Sequence, residues 1–418
     1  MRFAALIEQD REAEEDVSRI VKTIVADVRA RGDTALIELS ARLDRVELTP
    51  DTLRVTPGEI TAAERSCPAD VKDALRLAAS RIEAYHTRQL PKDESFTDAA
   101  GATLGWRWGP LSSVGLYVPG GTASYPSSVL MNAVPARVAG VERLVMVTPA
   151  SGGAINPLTL VAAVIAGVSE IYRIGGAQAV AALAYGTATI APVDKIVGPG
   201  NAYVAAAKRE VFGRVGIDSI AGPSEILVVA DGANDPAWIA ADLLSQAEHD
   251  SSSQSILITD DSGFADSVAA EMERQLAGLP RREIAARSWN GHGAIVVVAR
   301  LEDAAALVNR IAPEHLEIAT ADPHAFFARV KHAGAAFLGR HTPEAIGDYI
   351  AGPNHVLPTS RTARFSSGLS VLDFLKRTSV LALDADALSK LAPAALAMAE
   401  AEGLGAHARS IAIRLNRK

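Results

Sequence analysis

Residues 106–230 carry far fewer charges than the rest of the chain, and this contrast constrains the fold most strongly. The segment holds 14 charged residues in 125 positions, whereas the other 293 positions hold 76. A long stretch with so few charges is buried on most faces, so we interpret it as a compact lobe. Within it, short apolar runs alternate with helical stretches of small residues. This alternation predicts βαβ units and a largely parallel sheet.

The 418 residues are enough for two or three domains, and three further parts flank this lobe. Apolar residues from Val17 to Val28 recur at helical spacing, so residues 1–105 are predicted to form a helical region that packs with the second lobe. Residues 231–375 are predicted to form that second α/β lobe, and residues 376–418 a helical tail. The predicted fold class is α/β, with two Rossmann-like lobes whose sheets are incomplete and mostly parallel.

Composition excludes several classes of protein. A net charge of −8 and an aromatic content of 5% argue against nucleic acid as a partner. The single cysteine, Cys67, excludes an intrachain disulfide and a cysteine-based metal site, and it has no neighbouring histidine to activate it as a nucleophile. The uncharged stretches 111–136 and 144–169 contain several prolines and glycines, so neither is expected to span a membrane. We therefore expect a cytoplasmic protein without a signal peptide.

Three Gly-rich turns each follow a predicted strand and precede a predicted helix, at 118–121, 174–177 and 197–201. Glycine lets the backbone approach a ligand closely, and a helix N-terminus offers free N–H groups to a phosphate. None of the three matches the dinucleotide-binding fingerprint, and each is also compatible with an ordinary tight turn. Three such turns in one uncharged lobe favour a nucleotide-type ligand.

Several polar residues of the second lobe and tail could bind a metal or transfer protons. Gln246 and His249 lie three residues apart near the end of a predicted helix and can reach one point. The other candidates are the pair Glu314 and His315, then Asp348, His355 and His407. Imidazole with carboxylate suits zinc, but the spacing is no zinc signature and each histidine is equally compatible with a surface or hydrogen-bonded role. The residues alone therefore predict a two-lobed α/β enzyme with a nucleotide-like ligand.

Nine short segments form a recognisable series along the chain. They are 115–121 (GLYVPGG), 125–132 (YPSSVLMN), 174–179 (IGGAQA), 197–201 (VGPGN), 220–225 (IAGPSE), 245–249 (SQAEH), 312–316 (APEHL), 353–359 (PNHVLPT) and 402–407 (EGLGAH). In this order they resemble the histidinol dehydrogenase family, zinc enzymes that complete histidine biosynthesis. The resemblance covers nearly the whole chain.

The resemblance also implies which residues form the site. It implies a zinc ion bound by Gln246, His249, Asp348 and His407. It implies Glu314 and His315 as the general acid/base pair, and Tyr117, Gln178 and Asn201 as contacts of the nicotinamide cofactor. The implied substrate contacts are Ser224, His315 and Glu402 together with the metal ligands Gln246, His249, Asp348 and His407.

The implied reaction is the oxidation of L-histidinol through L-histidinal to L-histidine, with two NAD⁺. The resemblance further implies a homodimer in which Glu402 and His407 serve the partner's site. One alternative is a paralogous zinc- and NAD-dependent dehydrogenase of another small polar alcohol. Another is a catalytically silent NAD- or metal-binding protein, which would be expected to lack the acid/base pair or a zinc ligand.

Overall fold

The computed structural model describes residues 15–120, 125–220 and 222–416, which form two compact units. The first unit joins the described residues up to Gln89 with Ser112–Phe374. The second unit joins Leu90–Leu111 with the described residues from Leu375 onward. Four features from the sequence analysis lie outside the described residues: positions 1–14 of the helical region, Gly121 of the first Gly-rich turn, Ala221 of the segment 220–225, and positions 417–418 of the tail.

Helices dominate the described part of the N-terminal region. They are α1 (Glu15–Arg31), α2 (Asp33–Leu39), a π-helical turn (Ser40–Asp44), α3 (Pro50–Leu53), α4 (Pro57–Ser66) and α5 (Ala69–Thr87). Strands β1 (Glu94–Thr97) and β2 (Thr103–Pro110) follow and belong to the second unit. Val21 and Val28 of α1 lie in one apolar core with Tyr172 of the first lobe, whereas we expected packing with the second lobe. Helical spacing identifies an apolar face but not the sheet that it covers.

The first lobe contains a sheet of five parallel strands. Its strands are β3 (Ser113–Tyr117), β4 (Arg143–Val147), β5 (Glu170–Tyr172), β6 (Lys195–Val197) and β7 (Gly216–Ile217). Its helices are α6 (Pro126–Val138), α7 (Pro157–Ala166), α8 (Gly176–Tyr185) and α9 (Ala202–Val211). The strand order β5-β4-β3-β6-β7 places a topological switch point between β3 and β6. Open α/β sheets bind ligands beyond the carboxyl ends of strands at such a point, and all three Gly-rich turns begin at that edge.

The second lobe repeats this topology. Its strands are β8 (Glu225–Ala230), β9 (Gln254–Thr259), β10 (Ala294–Val297), β11 (His315–Ala319) and β12 (Ala335–Leu338). Its helices are α10 (Pro236–Ala247), α11 (Ser262–Leu276), α12 (Arg282–His292), α13 (Ala304–Ile311), α14 (Pro323–Phe327) and α15 (Glu344–Tyr349). The strands are all parallel, in the order β10-β9-β8-β11-β12, so β8 and β11 flank a second switch point.

Strand β8 corrects the predicted lobe boundary. Charge content assigned it to the first lobe, which we ended at residue 230, but it is the central strand of the second sheet. Every residue of β8 is buried. A strand covered on both faces is apolar in either sheet, so a scarcity of charge could not reveal which sheet it joins.

The second unit contains an antiparallel sheet and two helices. Strand β13 (Leu375–Ala382) pairs with β2, and β2 pairs with β1. Helices α16 (Ala385–Ala401) and α17 (Gly405–Arg414) follow. We predicted a helical tail from residue 376, so its first residues differ from that prediction. Nearly all of β13 is exposed, so it lacks the apolar alternation by which a strand is recognised. No helix among the described residues has the length and apolar character needed to cross a membrane.

Candidate active site

Buried ionisable side chains converge at the amino ends of β8 and β11, which are neighbouring strands. Glu225 begins β8, Glu314 directly precedes β11 and His315 begins it. Gln246 near the end of α10 and Glu344 at the start of α15 are buried with them. Buried charged groups are costly unless they are paired or bind a ligand, and they concentrate at functional sites. This cluster is therefore the candidate site.

The imidazole of His315 is held in one orientation. Its Nδ1 lies 2.9 Å from the carbonyl oxygen of Glu225, so we assign the ring hydrogen to Nδ1. Its Nε2 is buried without a hydrogen-bond partner among the described residues, and lies 3.9 Å from Oδ1 of Asp348. Burial lowers the pKa of His315 to about 4, although the charge of Asp348 opposes this shift. The ring is therefore neutral near pH 7, with a free lone pair on Nε2 that can accept a proton or bind a metal.

Glu314 lies beside this ring. Its Oε2 accepts a hydrogen bond from the backbone N–H of Glu225 at 2.8 Å and lies 3.6 Å from Nδ1 of His315. The backbone of Glu225 thus binds both residues, since its N–H holds the carboxylate and its carbonyl holds the imidazole. A buried carboxylate next to a neutral imidazole can serve as a general base for water.

A chain of acidic groups lies behind the imidazole. Oε1 of Glu344 is 3.3 Å from Nδ1 of His315, and the backbone N–H of Glu344 donates to Glu317 at 2.5 Å. Burial, followed by the negative charge of Asp348, raises the pKa of Glu344. Burial also raises the pKa of Glu317 and brings the pKa of Asp242 to about 6, and these two carboxyl groups are hydrogen-bonded. These carboxyl groups therefore hold their protons more tightly than isolated carboxyl groups do.

Gln246 connects helix α10 to this chain. Its side-chain amide points its NH₂ group toward Glu344, because only this orientation gives both amide atoms a suitable hydrogen-bond partner. The amide nitrogen then lies 2.6 and 3.2 Å from the two carboxylate oxygens of Glu344. The amide oxygen then accepts from the backbone N–H of Glu225 at 3.3 Å. His249 lies just beyond the helix and is exposed. Its charge lowers the pKa of both His315 and His355, so its side chain lies near the cluster.

His355 joins the site to helix α6 of the first lobe. Its Nδ1 lies 3.0 Å from the carbonyl oxygen of Asp348, and its Nε2 lies 3.3 Å from Oγ of Ser128. The neighbouring Asn354 donates to the carbonyl oxygen of Met131 at 2.6 Å. The loop that carries Asn354 and His355 therefore connects Asp348 to helix α6 of the first lobe.

The donor set fits a divalent metal ion. One ligand atom from each of His315, Glu344 and Asp348 lies within 4.8 Å of the other two. Nitrogen with carboxylate oxygen is a donor set that zinc accepts. The buried Nε2 of His315, which lacks a partner among the described residues, is consistent with a ligand or substrate at this point.

The predicted cofactor contacts lie at the carboxyl edge of the first sheet. Tyr117 ends β3, and its hydroxyl accepts a hydrogen bond from the N–H of Gly176 at 3.0 Å; burial raises its pKa to about 12. Gln178 donates to Asp44 at 3.1 Å, while its buried Oε1 has no hydrogen-bond partner within the described ranges. Asn201 is the N-cap of α9. These residues lie on or beside the three turns.

Comparison with known proteins assigns the family. The family model for histidinol dehydrogenase matches residues 7–415. The chain is 64% identical to a histidinol dehydrogenase of Rhizobium meliloti over 99% of this chain and 95% of that protein. The chain belongs to the histidinol dehydrogenase family. A histidinol dehydrogenase of Rhodospirillum rubrum is also 64% identical, over 99% of this chain and 96% of that protein. A crystal structure of histidinol dehydrogenase from Elizabethkingia anophelis superposes with a TM-score of 0.95 at 38% identity, covering 99% of this chain and 95% of that one.

The metal, substrate and acid/base residues expected from the histidinol dehydrogenase resemblance, eight in all, fall into two groups. Six lie in the first unit around the amino edge of the second sheet: Ser224, Gln246, His249, Glu314, His315 and Asp348. The other two lie in the second unit, with Glu402 at the end of α16 and His407 in α17. His355, a candidate from the sequence, also lies at the site. The structure adds residues that sequence reasoning missed: Glu225, Asp242, Glu317, Glu344 and Ser128. For these missed residues the sequence offered one signal of a functional site, which is a carboxylate inside an apolar strand, as in Glu317 of β11.

Proposed function

We propose that this chain oxidises L-histidinol to L-histidine through L-histidinal, as an NAD- and zinc-dependent histidinol dehydrogenase that catalyses the last step of histidine biosynthesis. Full-length likeness to proteins of that name supports the proposal. The observation that carries it is the neutral, buried imidazole of His315, whose Nε2 lacks a hydrogen-bond partner among the described residues. Proton removal from an alcohol needs such a base.

In the first oxidation, Nε2 of His315 takes the hydroxyl proton of the alcohol while a hydride leaves the same carbon. The bond from Nδ1 to the carbonyl oxygen of Glu225 keeps the ring in the tautomer that this transfer requires. The nicotinamide of NAD⁺ would supply the acceptor for this hydride. The products of this step are the aldehyde, NADH and one proton.

In the second oxidation, Glu314 takes a proton from water as the water oxygen bonds to the aldehyde carbon, and then returns that proton to the aldehyde oxygen, which gives the neutral hydrate. His315 then takes a hydroxyl proton of the hydrate as a hydride leaves its carbon, for which a second NAD⁺ would supply the acceptor, and the product is the carboxylic acid. A held hydrate replaces the covalent thiol adduct on which many aldehyde oxidations depend. This suits a chain whose one cysteine, Cys67, is buried at the end of α4.

The ligands of the two cofactors are part of the proposal. Gln246, His249, Asp348 and His407 would hold the zinc ion, which supplies a template for the amine and imidazole nitrogens of the substrate. Ser224 and Glu402 would contact the substrate beside these ligands. Tyr117, Gln178 and Asn201 would contact the nicotinamide cofactor at the turns of the first sheet. By holding the substrate and the cofactor in place, these residues would lower the entropic cost of the reaction.

We also propose a cytoplasmic homodimer with shared active sites, in which Glu402 and His407 of each chain complete the partner's site. Their placement on the terminal helices suits such an exchange, because a terminal element can reach a neighbouring chain without disturbing either sheet.

A steady-state assay tests the function. NADH formation is followed with L-histidinol, L-histidinal and simple amino alcohols at equal concentrations. We expect kcat/KM to be far higher for the first two. Comparable values for an unrelated amino alcohol would favour the paralogous dehydrogenase of another small polar alcohol.

A further inference from the structure

A buried ion pair lies beside the third Gly-rich turn, outside the site described so far. Lys208 of α9 and Asp218, directly after β7, form an ion pair whose side chains are only 2% and 4% exposed. Removing two charges from water is costly, and apolar side chains of similar volume often stabilise a fold as well. Stability alone therefore does not account for this ion pair, and the groups that it contacts indicate its role.

Both charged groups bind the backbone of one residue, Gly198. The N–H of Gly198 donates to Oδ2 of Asp218 at 2.8 Å. The ammonium group of Lys208 donates to the carbonyl oxygen of Gly198 at 3.1 Å. Because the two side chains also contact each other, the three groups form a closed ring. The peptide groups on either side of Gly198 cannot rotate without breaking this ring.

Gly198 lies where the end of β6 meets the end of β3. Its φ is +114°, and a Cβ there would collide with the carbonyl oxygen of Tyr117, so the position requires glycine. This is the switch point of the first sheet. The same turn leads to Asn201, whose side chain caps α9 by accepting from the N–H groups of Tyr203 and Val204.

We propose that Lys208 and Asp218 are positioning residues for the dinucleotide cofactor. They fix the backbone of the turn 198–201 before the cofactor arrives, and they act through Gly198 and Asn201 rather than by touching the cofactor. A preformed turn needs no further ordering on binding, so the ion pair favours cofactor affinity. This inference rests on the proposed use of NAD⁺.

Two variants test it, Asp218→Asn and Lys208→Met. Asparagine keeps the volume and an oxygen acceptor for the Gly198 N–H but removes the charge, whereas methionine removes the donor to the Gly198 carbonyl. We expect KM for NAD⁺ and the dissociation constant for NADH, followed by nucleotide fluorescence, to rise about ten- to a hundredfold. We expect KM for histidinol and the zinc content to stay at wild-type values.

Lys195→Met is the matched control. Lys195 begins β6, the strand that ends directly before Gly198, and its ammonium group pairs with Asp373 at 3.0 Å. The variant Lys195→Met therefore removes a lysine ion pair at the opposite end of the same strand. We expect it to lower the Tm while leaving cofactor affinity unchanged.

The outcomes separate this inference from the proposed function. Wild-type protein that forms no NADH from histidinol would refute the proposed function itself. Active wild-type protein whose folded Asp218→Asn variant binds NADH normally would refute the inference alone. Equal loss of NADH affinity in Lys195→Met would also overturn it. So would failure of both test variants to fold while the control folds, because the pair would then serve stability only.

Discussion

Replacing His315 by asparagine should separate its catalytic role from a structural one. Asparagine keeps an N–H donor near the place of Nδ1 but has no basic nitrogen at the place of Nε2. Loss of the bond to the carbonyl oxygen of Glu225 would cost the folded state about 0.5–1.5 kcal/mol, in addition to the packing lost with the smaller side chain. A lost general base costs about 10²- to 10⁴-fold in rate. That range corresponds to roughly 2.7–5.4 kcal/mol of transition-state stabilisation.

The assay follows NADH formation from histidinol and, separately, from histidinal. Both oxidations should lose kcat in the predicted range, because His315 takes a proton in each, while zinc content stays near one ion per subunit. The matched control is His86→Asn on α5, another buried histidine, whose Nδ1 lies 2.8 Å from Oε1 of Gln89. It should lower the free energy of unfolding with no change in kcat.

Two results would refute this reasoning. A loss of less than tenfold in kcat would mean that another group takes the proton. A large loss of zinc would make His315 a metal ligand, as its proximity to Glu344 and Asp348 would allow. In that case the proposed division between ligands and acid/base residues would be wrong.

Three further predictions concern the thiol, the tail and an ion pair. Cys67→Ser should lower the free energy of unfolding by roughly 1–3 kcal/mol, because a hydroxyl replaces a buried thiol, while histidinal oxidation keeps its rate; a slowed second oxidation would implicate the thiol. Truncation before Glu402 should abolish activity and zinc binding, and mixing it with His249→Ala subunits should restore activity; no restoration would exclude shared sites. The guanidinium of Arg173 lowers the pKa of Glu59 to about 2 from an ordinary value of 4.5. The ion pair therefore stabilises the folded state fully above pH 4.5, and this contribution is lost as the pH falls toward 2. In urea unfolding at pH 7, the free energy of unfolding of Glu59→Gln should therefore lie below that of the wild type by under about 1 kcal/mol, a small difference because the carboxylate is partly exposed. This difference should shrink below pH 4.5, and a difference independent of pH would contradict the reasoning.

The sheets of both lobes were predictable because their strands are short apolar runs between helices. In the sequence, apolar residues run from Leu144 to Val147 and from Ile171 to Ile174, and β4 and β5 match these two runs within two residues. Strand β8 was predicted as a strand but assigned to the wrong lobe, because sheet membership depends on pairing with residues far along the chain. Strand β13 was missed because it is exposed and pairs only with β2 on one side.

The candidate site was less accessible to local reasoning. Spacing alone could join Gln246 to His249, since they lie three residues apart near the end of a predicted helix, but could not bring either to His315. The parallel pairing of β8 with β11 does that, by placing Glu225 beside His315. Glu344 gave no signal in the sequence, because its burial follows from how α15 packs rather than from its neighbours in the chain.

The two sheets share one strand order, yet they use opposite edges. The first presents Gly-rich turns at the carboxyl ends of β3 and β6, where the proposed cofactor contacts lie. At the same edge of the second sheet, Arg340 binds both carboxylate oxygens of Asp231 at 2.7 and 2.8 Å and Oδ1 of Asn234 at 3.1 Å. Asn234 in turn donates to the carbonyl oxygen of Ala319 at 2.6 Å, so this network spans the carboxyl ends of β8 and β11. A ligand at that switch point would have to displace a bidentate ion pair. This supports the proposal that the dinucleotide binds at the first sheet and that the second lobe uses its amino edge.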